Sequence, residues 1–394
     1  MAENKQNKRP NVPPLRFPEF TEPWERKSLG DIGETIIGLT YKPTDVVKEG
    51  GVIVLRSSNI QNGFIDYKDI VRVDKKIKDN ILTREHDLLV CARNGSPRLI
   101  GKNAILSKAD ANQTFGAFMM VFRSPYNHFV HHLLATKRYI SQVSENLGAR
   151  INQITSSDLN SFEFFFPNSL EMEKIAELID LLDRRIAVQS KLIEDLQQLK
   201  SALVERLYCQ HNPNFKIGDL VVQVSKRNRG DNDYSVLSVN NRLGFIEQSE
   251  QFEDRSVASE DTSNYKVVSR DDFAYNPARI NVGSIARLTS FESGIVSPMY
   301  ICFHTKKQIL PQYLEHFFDT RYFYYEMQKR LEGSVRLCLS WEGLCNIPIA
   351  VPPIERQEKV SKRISRLADK ISLEKLHLDL LKSQKRYLLQ AMFI

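Results

Sequence analysis

Apolar residues recur every three or four positions along two long stretches of the chain, residues 170–208 and 354–393. Ile175, Leu178, Leu182, Arg185, Gln189, Leu192, Leu196, Leu199 and Leu203 mark the first stripe. Val360, Ile364, Leu367, Ile371, Glu374, Leu378, Leu381, Lys385 and Leu388 mark the second. Alternation by three and four is the seam of a coiled coil, here about five heptads long. About 39 helical residues make a rod of roughly 58 Å. If the two rods run antiparallel, Gln189 and Glu374 face each other near the midpoint, where a polar pair sets register at some cost in stability.

Elsewhere the period changes. Short β-rich runs at 51–55, 87–92 and 117–122 are broken by turn residues. A helix over roughly 127–146 follows, then a strand over 161–166 that Pro167 stops. The order recurs after the first long helix: a β run at 299–303, a helix over 311–332, and a strand at 347–351 closing on Pro352.

The recurrence extends to single residues. Lys200, Leu203 and Tyr208 match Lys385, Leu388 and Phe393 at one offset of 185. Val54–Asp66 matches Val236–Glu247, both ending in Gly-Phe-Ile and an acid, and Gly148 matches Gly333. The fold class expected is α+β: two pseudo-repeated β-rich domains joined by two long antiparallel coiled-coil helices. The boundaries are a flexible N-terminal arm over 1–23, a first domain over 24–167, a helix over 168–208, a second domain over 209–352 and a helix over 353–394. The arm is polar, then rich in proline, with Leu15, Phe17 and Phe20 as docking points. The linker from Cys209 to Asp219 corresponds to the region before Gly30-Asp31, so joining the C-terminus to the N-terminus gives a near-circular repeat. Residues 10–24 are therefore expected beside the end of the last helix.

Composition narrows the function classes. A chain of 394 residues with 42% hydrophobic and 26% charged residues is ordinary for a soluble globular protein. No apolar run is long enough to span a membrane, and residues 1–10 carry no apolar signal core. Five cysteines (Cys91, Cys209, Cys302, Cys338, Cys345) without a close pair read as reduced cytoplasmic thiols, and the eight histidines show no metal spacing. A net charge of +7 favours a polyanionic partner only slightly.

Catalytic signatures are missing. There is no phosphate-binding loop and no dinucleotide fingerprint. Tyr275-Asn276-Pro277-Ala278-Arg279 lacks the second proline and the aromatic of an amino-methyltransferase loop. Glu171 with Lys174, and Glu355 with Lys359, are expected as first-turn helix charges.

Two domains held at a fixed distance fit a long, regular partner such as DNA, and the residues expected to touch it follow from the repeat. Both domains carry a polar, glycine-punctuated stretch at the equivalent place, Cys91–Lys102 and Tyr275–Ser284. Arg can hydrogen-bond guanine through two donors, and Asn can do the same for adenine. The candidates are Ser57, Asn59, Arg93, Asn94, Arg98 and Lys102 in the first domain. In the second they are Asn240, Asn241, Arg242, Tyr275, Asn276, Arg279 and Asn281. Lys75, Lys76, Lys78, Lys226, Arg227 and Arg229 are candidate phosphate anchors. Arg150, Asn152 and Arg336 are further candidates. The seam is assigned to Leu182, Gln189, Leu196, Leu203, Leu367, Glu374, Leu381 and Leu388.

Trp24–Ile32, Asn59…Gly63-Phe64-Ile65, Asp272-Phe273-Ala274-Tyr275-Asn276…Gly283 and Pro352-Pro353-Ile354-Glu355-Arg356-Gln357-Glu358-Lys359 together resemble the specificity subunits of type I restriction-modification systems. The likeness covers almost the whole length. Asn168–Lys174 departs from the last motif by one residue. The resemblance implies two target recognition domains, each reading half of a split, asymmetric site on double-stranded DNA, with the helices as the ruler between them. It implies a non-catalytic chain that recruits two methyltransferase subunits and two restriction (translocase-nuclease) subunits. S-adenosylmethionine, ATP and Mg belong to those partners, and no cofactor to this chain. A modification-only version, without a nuclease partner, has the same sequence features. The reading from a different class is a coiled-coil scaffold with two protein-binding domains.

Overall fold

The computed structural model describes residues 11–61, 63–149, 152–208, 212–229, 234–241, 243–248, 261–334 and 336–394. Asn62, Arg150, Cys209 and Arg242 lie outside the described residues. The chain forms two compact units: one runs to Ser190 and includes His377–Ile394, and the other is Lys191–Leu376. Each long helix contributes to both.

In the first unit a four-stranded antiparallel sheet has the order Glu34–Ile37, Met119–Arg123, Leu88–Cys91, Asn103–Ile105. A second sheet has the order Thr114–Phe115, Val52–Leu55, Val71–Val73, Val46–Val47, with a parallel pair at its start. A two-stranded ribbon, Glu25–Ser28 against Glu163–Phe166, joins the first strand of the domain to its last. The strands are rich in Val, Leu, Ile and Phe, and Leu88–Cys91 is buried throughout, as a strand covered on both faces must be.

The second unit repeats this plan. Its antiparallel sheet has the order Val221–Val224, Ile301–Thr305, Phe273–Tyr275, Ile285–Arg287. Its other sheet again holds a parallel pair, Val236–Asn240 beside Ser293–Val296, and Phe215–Lys216 closes on Pro348–Ile349. The Gly-Asp pairs match in detail. Asp31 accepts from the Ser28 backbone N–H at 2.8 Å, and Asp219 from that of Lys216 at 2.8 Å.

The expected single helices over 127–146 and 311–332 are each two. The first is Asn127–Leu133 then Lys137–Ala149; the second is Pro311–Phe318 then Arg321–Gln328. The break is chemical: the hydroxyl of Thr320 accepts the N–H of Phe323 at 3.0 Å and starts a new helix, and Thr136 stands at the matching place.

The long helices span Ser169–Tyr208 and Ile354–Ala391. Neither contains Gly or Pro. Asn168 begins the first by accepting the N–H of Glu171 at 2.9 Å. In the first unit the two run antiparallel: Asp183 meets Lys385 at 2.6 Å, while Ile175 and Ile179 share a core with Met392 and Phe393. In the second unit Val204 shares a core with Val360 and Ile364. Leu182, Gln189, Glu374 and Leu381 are buried, and Leu196, Leu203, Leu367 and Leu388 half-buried. Leu192 and Leu199 leave the first stripe, at 39% and 56% exposed, and Ile193 is buried instead. The seam of this helix thus keeps Gln189, Leu196 and Leu203, takes Ile193 in place of Leu192, and leaves Arg185 exposed.

Residues 11–23 lie beside the end of the last helix, as the repeat predicts. Leu15 N–H donates to the Ala391 carbonyl at 2.9 Å, and Phe17 packs on the core that holds Phe393. Arg16 grips Glu171 through two bonds of 2.7 Å, and Trp24 Nε1 adds a third at 3.3 Å. Glu171 is thus a first-turn helix charge, as expected, and the N-terminal segment pairs it. It is completely buried.

Candidate nucleic-acid interface

The polar loop of the first unit leaves the buried strand Leu88–Cys91 and returns as Asn103–Ile105. Asn94 opens it: its Oδ1 accepts the N–H of Ser96 at 3.0 Å, and its Nδ2 donates to Ser57 Oγ at 3.0 Å. Gly101 ends it with φ +79, a left-handed conformation where a Cβ would lie 2.9 Å from the Tyr139 hydroxyl. The two candidate segments, Ser57–Asn59 and Arg93–Asn94, are thereby tied side by side. Ser57, Ser58, Arg93 and Asn94 line an open cleft of about 620 Å³ with Tyr41, Val46 and Phe118. Arg93 is exposed, with its guanidinium 5.3 Å from the Phe118 ring centroid. Asn152 braces the loop from outside: its carbonyl accepts the Asn94 N–H at 3.4 Å. Arg98 is exposed and Lys102 half-buried, and neither lines the cleft.

The second unit builds the matching loop with the same devices. Asn276 Oδ1 accepts the N–H of Ala278 at 3.0 Å, and its Nδ2 reaches Met299 Sδ at 3.6 Å. Gly283 ends the short helical turn Ile280–Val282 with φ +89. Asn240, Asn241, Asn276, Arg279 and Asn281 all line one cleft of about 990 Å³, joined by Gln248, Met299, Tyr300 and Arg336. Arg279 is exposed at the rim. Asn241 is fixed by Nδ2 donating to the Val282 carbonyl at 3.2 Å.

Two candidates are corrected by burial. Asn59 is fully buried, and its amide is consumed by the Arg56 N–H and by the carbonyls of Asp66 and Asp69. It ties its own loop and has nothing left to offer a base. Tyr275 is equally buried: its hydroxyl donates to the Leu339 carbonyl at 3.2 Å, and burial pushes its pKa up. Asn240 is intermediate: half-buried, it lines the cleft while its Oδ1 accepts the Leu243 N–H at 3.2 Å.

Of the phosphate-anchor candidates, Lys226, Arg227 and Arg229 line one open hollow with Tyr234 and Ser263. Arg227 bonds the Asn264 side chain at 2.5 Å. In the first unit Lys76 and Lys78 are exposed, while Lys75 donates to the Thr40 carbonyl at 3.2 Å. Cys91 and Cys302 are buried, and burial raises their thiols to about 11 and about 12. Among the described residues no group of three His, Cys, Asp or Glu is placed to hold a metal ion.

Sequence reasoning missed Phe118, Tyr41, Met299 and Tyr300. They sit in or beside strands whose apolar residues are expected inside, and only the fold shows them in the clefts.

The profile described as the Type I restriction modification DNA specificity domain matches residues 21–198. The chain is 22% identical over 386 residues to the Type I restriction enzyme EcoKI specificity subunit of Escherichia coli (strain K12). That match covers 89% of this chain and 83% of the relative. It is 26% identical over 191 residues to the StySPI specificity subunit of Salmonella potsdam, covering 46% of this chain and 41% of that one. In fold it is similar to the type I restriction-modification S subunit from M. genitalium. There the TM-score is 0.59 at 16% identity, over 97% of this chain and 99% of the other. A second solved chain, from work on complex assembly and conformational transition of the type I R-M system, gives 0.53 at 14% identity, covering 95% and 98%.

Proposed function

This chain belongs to the specificity subunits of type I restriction-modification systems, and from that premise we propose that each of its two β-rich domains reads one half of a split, asymmetric DNA site. As a specificity subunit it recognises DNA and is not itself an enzyme. The observation that carries the bipartite reading is the pair of matched polar loops. Asn94 and Asn276 open them with the same side-chain turn, and Gly101 and Gly283 end them with the same left-handed residue. The scaffolds agree and the exposed side chains differ, as two different half-sites require.

In this reading Ser57, Arg93 and Asn94 contact base edges of one half-site. Asn240, Asn241, Asn276, Arg279, Asn281 and Arg336 contact those of the other. Lys76, Lys226, Arg227 and Arg229 neutralise phosphates. The long helices set the unread gap between the half-sites and dock two adenine methyltransferase subunits and, for cleavage, two restriction subunits in the cytoplasm. S-adenosylmethionine, ATP and Mg are used by those partners.

The test is co-expression with the neighbouring methyltransferase and a map of N6-methyladenine across the host DNA. One split motif, methylated in both halves and lost without this chain, is the expected result. A complex that assembles yet leaves no motif would overturn it in favour of a protein-binding scaffold.

A further inference from the structure

Phe118 is 59% exposed at the end of a buried strand, where it serves no core. Its carbonyl accepts the N–H of Ala92 at 2.9 Å and that of Arg93 at 3.0 Å, so the backbones of the two strands lock Phe118 beside Arg93. The guanidinium then lies over the ring, 5.3 Å from its centroid. On the far side, the Asn94–Ser57 bond fixes the neighbouring polar groups of the cleft. Arg279, the counterpart in the second unit, has no such ring contact among the described residues, and Asn276 there meets Met299.

A free arginine side chain samples many rotamers, and ordering it on binding costs affinity for the base it must meet. A ring beneath the guanidinium removes that cost in advance and leaves the edge with its paired donors facing outward. We propose that Phe118 is a positioning residue for specificity in the first half-site: it holds the Arg93 guanidinium flat for a two-donor contact with guanine. The proposal rests on the reading of Arg93 as a base-contacting residue.

The test uses the full chain with its methyltransferase partner, and binding to duplexes in which each base pair of the first half-site is varied. Phe118→Leu keeps an apolar side chain and removes the ring. It is expected to lower discrimination about tenfold at the same base pair that Arg93→Ala relaxes, with the second half-site unchanged. Phe118→Trp is expected to preserve discrimination, and Arg93→Ala with Phe118→Leu to be no worse than Arg93→Ala alone. Discrimination unchanged in Phe118→Leu, relaxation at a different base pair, or fully additive losses would each overturn the proposal. If Arg93→Ala relaxes no base pair, the reading of Arg93 fails and the platform fails with it, an outcome that the single arginine variant identifies by itself.

Discussion

His132 Nε2 lies 2.8 Å from Asp180 Oδ1, joining the short helix Asn127–Leu133 to the first long helix. The other oxygen of Asp180 takes His128 Nδ1 at 2.7 Å. Burial alone would raise the Asp180 carboxyl, but the two histidine bonds outweigh it and hold it well below the usual carboxylate range. The second repeat replaces this cluster with a neutral contact, Gln312 Nε2 to Ser365 Oγ at 2.8 Å.

These groups give a signed pH dependence. The Asp180 bond raises His128, so its contribution is complete below the unfolded value of 6.5 and is lost only as pH climbs through the raised one. Burial lowers His131 to about 3 and His316 to about 4, so they oppose folding as pH falls from 6.5. The melting temperature is therefore expected to drop between pH 6.5 and about 4, and His316→Gln to flatten that slope. Identical slopes in a pH series of thermal melts would refute the assignment.

Arg16→Ala leaves the Glu171 carboxylate buried without its bidentate partner. The expected cost is about 3–5 kcal/mol in urea unfolding. Adding Glu171→Gln should recover much of it, because the orphaned group is then neutral. A cost below about 1 kcal/mol would mean that the N-terminal segment is not what satisfies Glu171.

Asn59→Ala removes three loop-closing bonds, and in the proposed reading it removes no DNA contact. Stability should fall by about 1–3 kcal/mol, while the folded fraction still directs the partner methyltransferase to the same motif. An altered motif in a stable variant would restore Asn59 as a reader.

Arg93→Ala and Arg279→Ala should each relax one half-site and spare the other, at about 1–3 kcal/mol per lost two-donor contact. Binding measured on duplexes with single base changes separates this from a uniform loss, which would make either residue a phosphate anchor.

Period and repeat survive in the linear chain because they are spacing rules. The second helix shows this best: every position from Val360 to Leu388 counted in its stripe is buried or half-buried. The matched Gly-Phe-Ile turns, the closing strands and the place of residues 11–23 beside the end of the last helix also followed from the offset between halves. Exposure did not. Asn59 and Asn94 are the same residue type in similar polar loops, yet one is sealed inside its loop and the other stands at a cleft.

The sequence alone thus determined a duplicated α+β chain with two long helices and the polar loops at equivalent places, since these depend on local period and on self-comparison. The tertiary structure alone decided which side chains of those loops remain free. It seated Phe118 under Arg93, buried Tyr275 against Leu339, and made Glu171, a charge in the first turn of its helix, the buried partner of Arg16. Those outcomes depend on which strand lies beside which, a matter of long-range packing that no local spacing encodes.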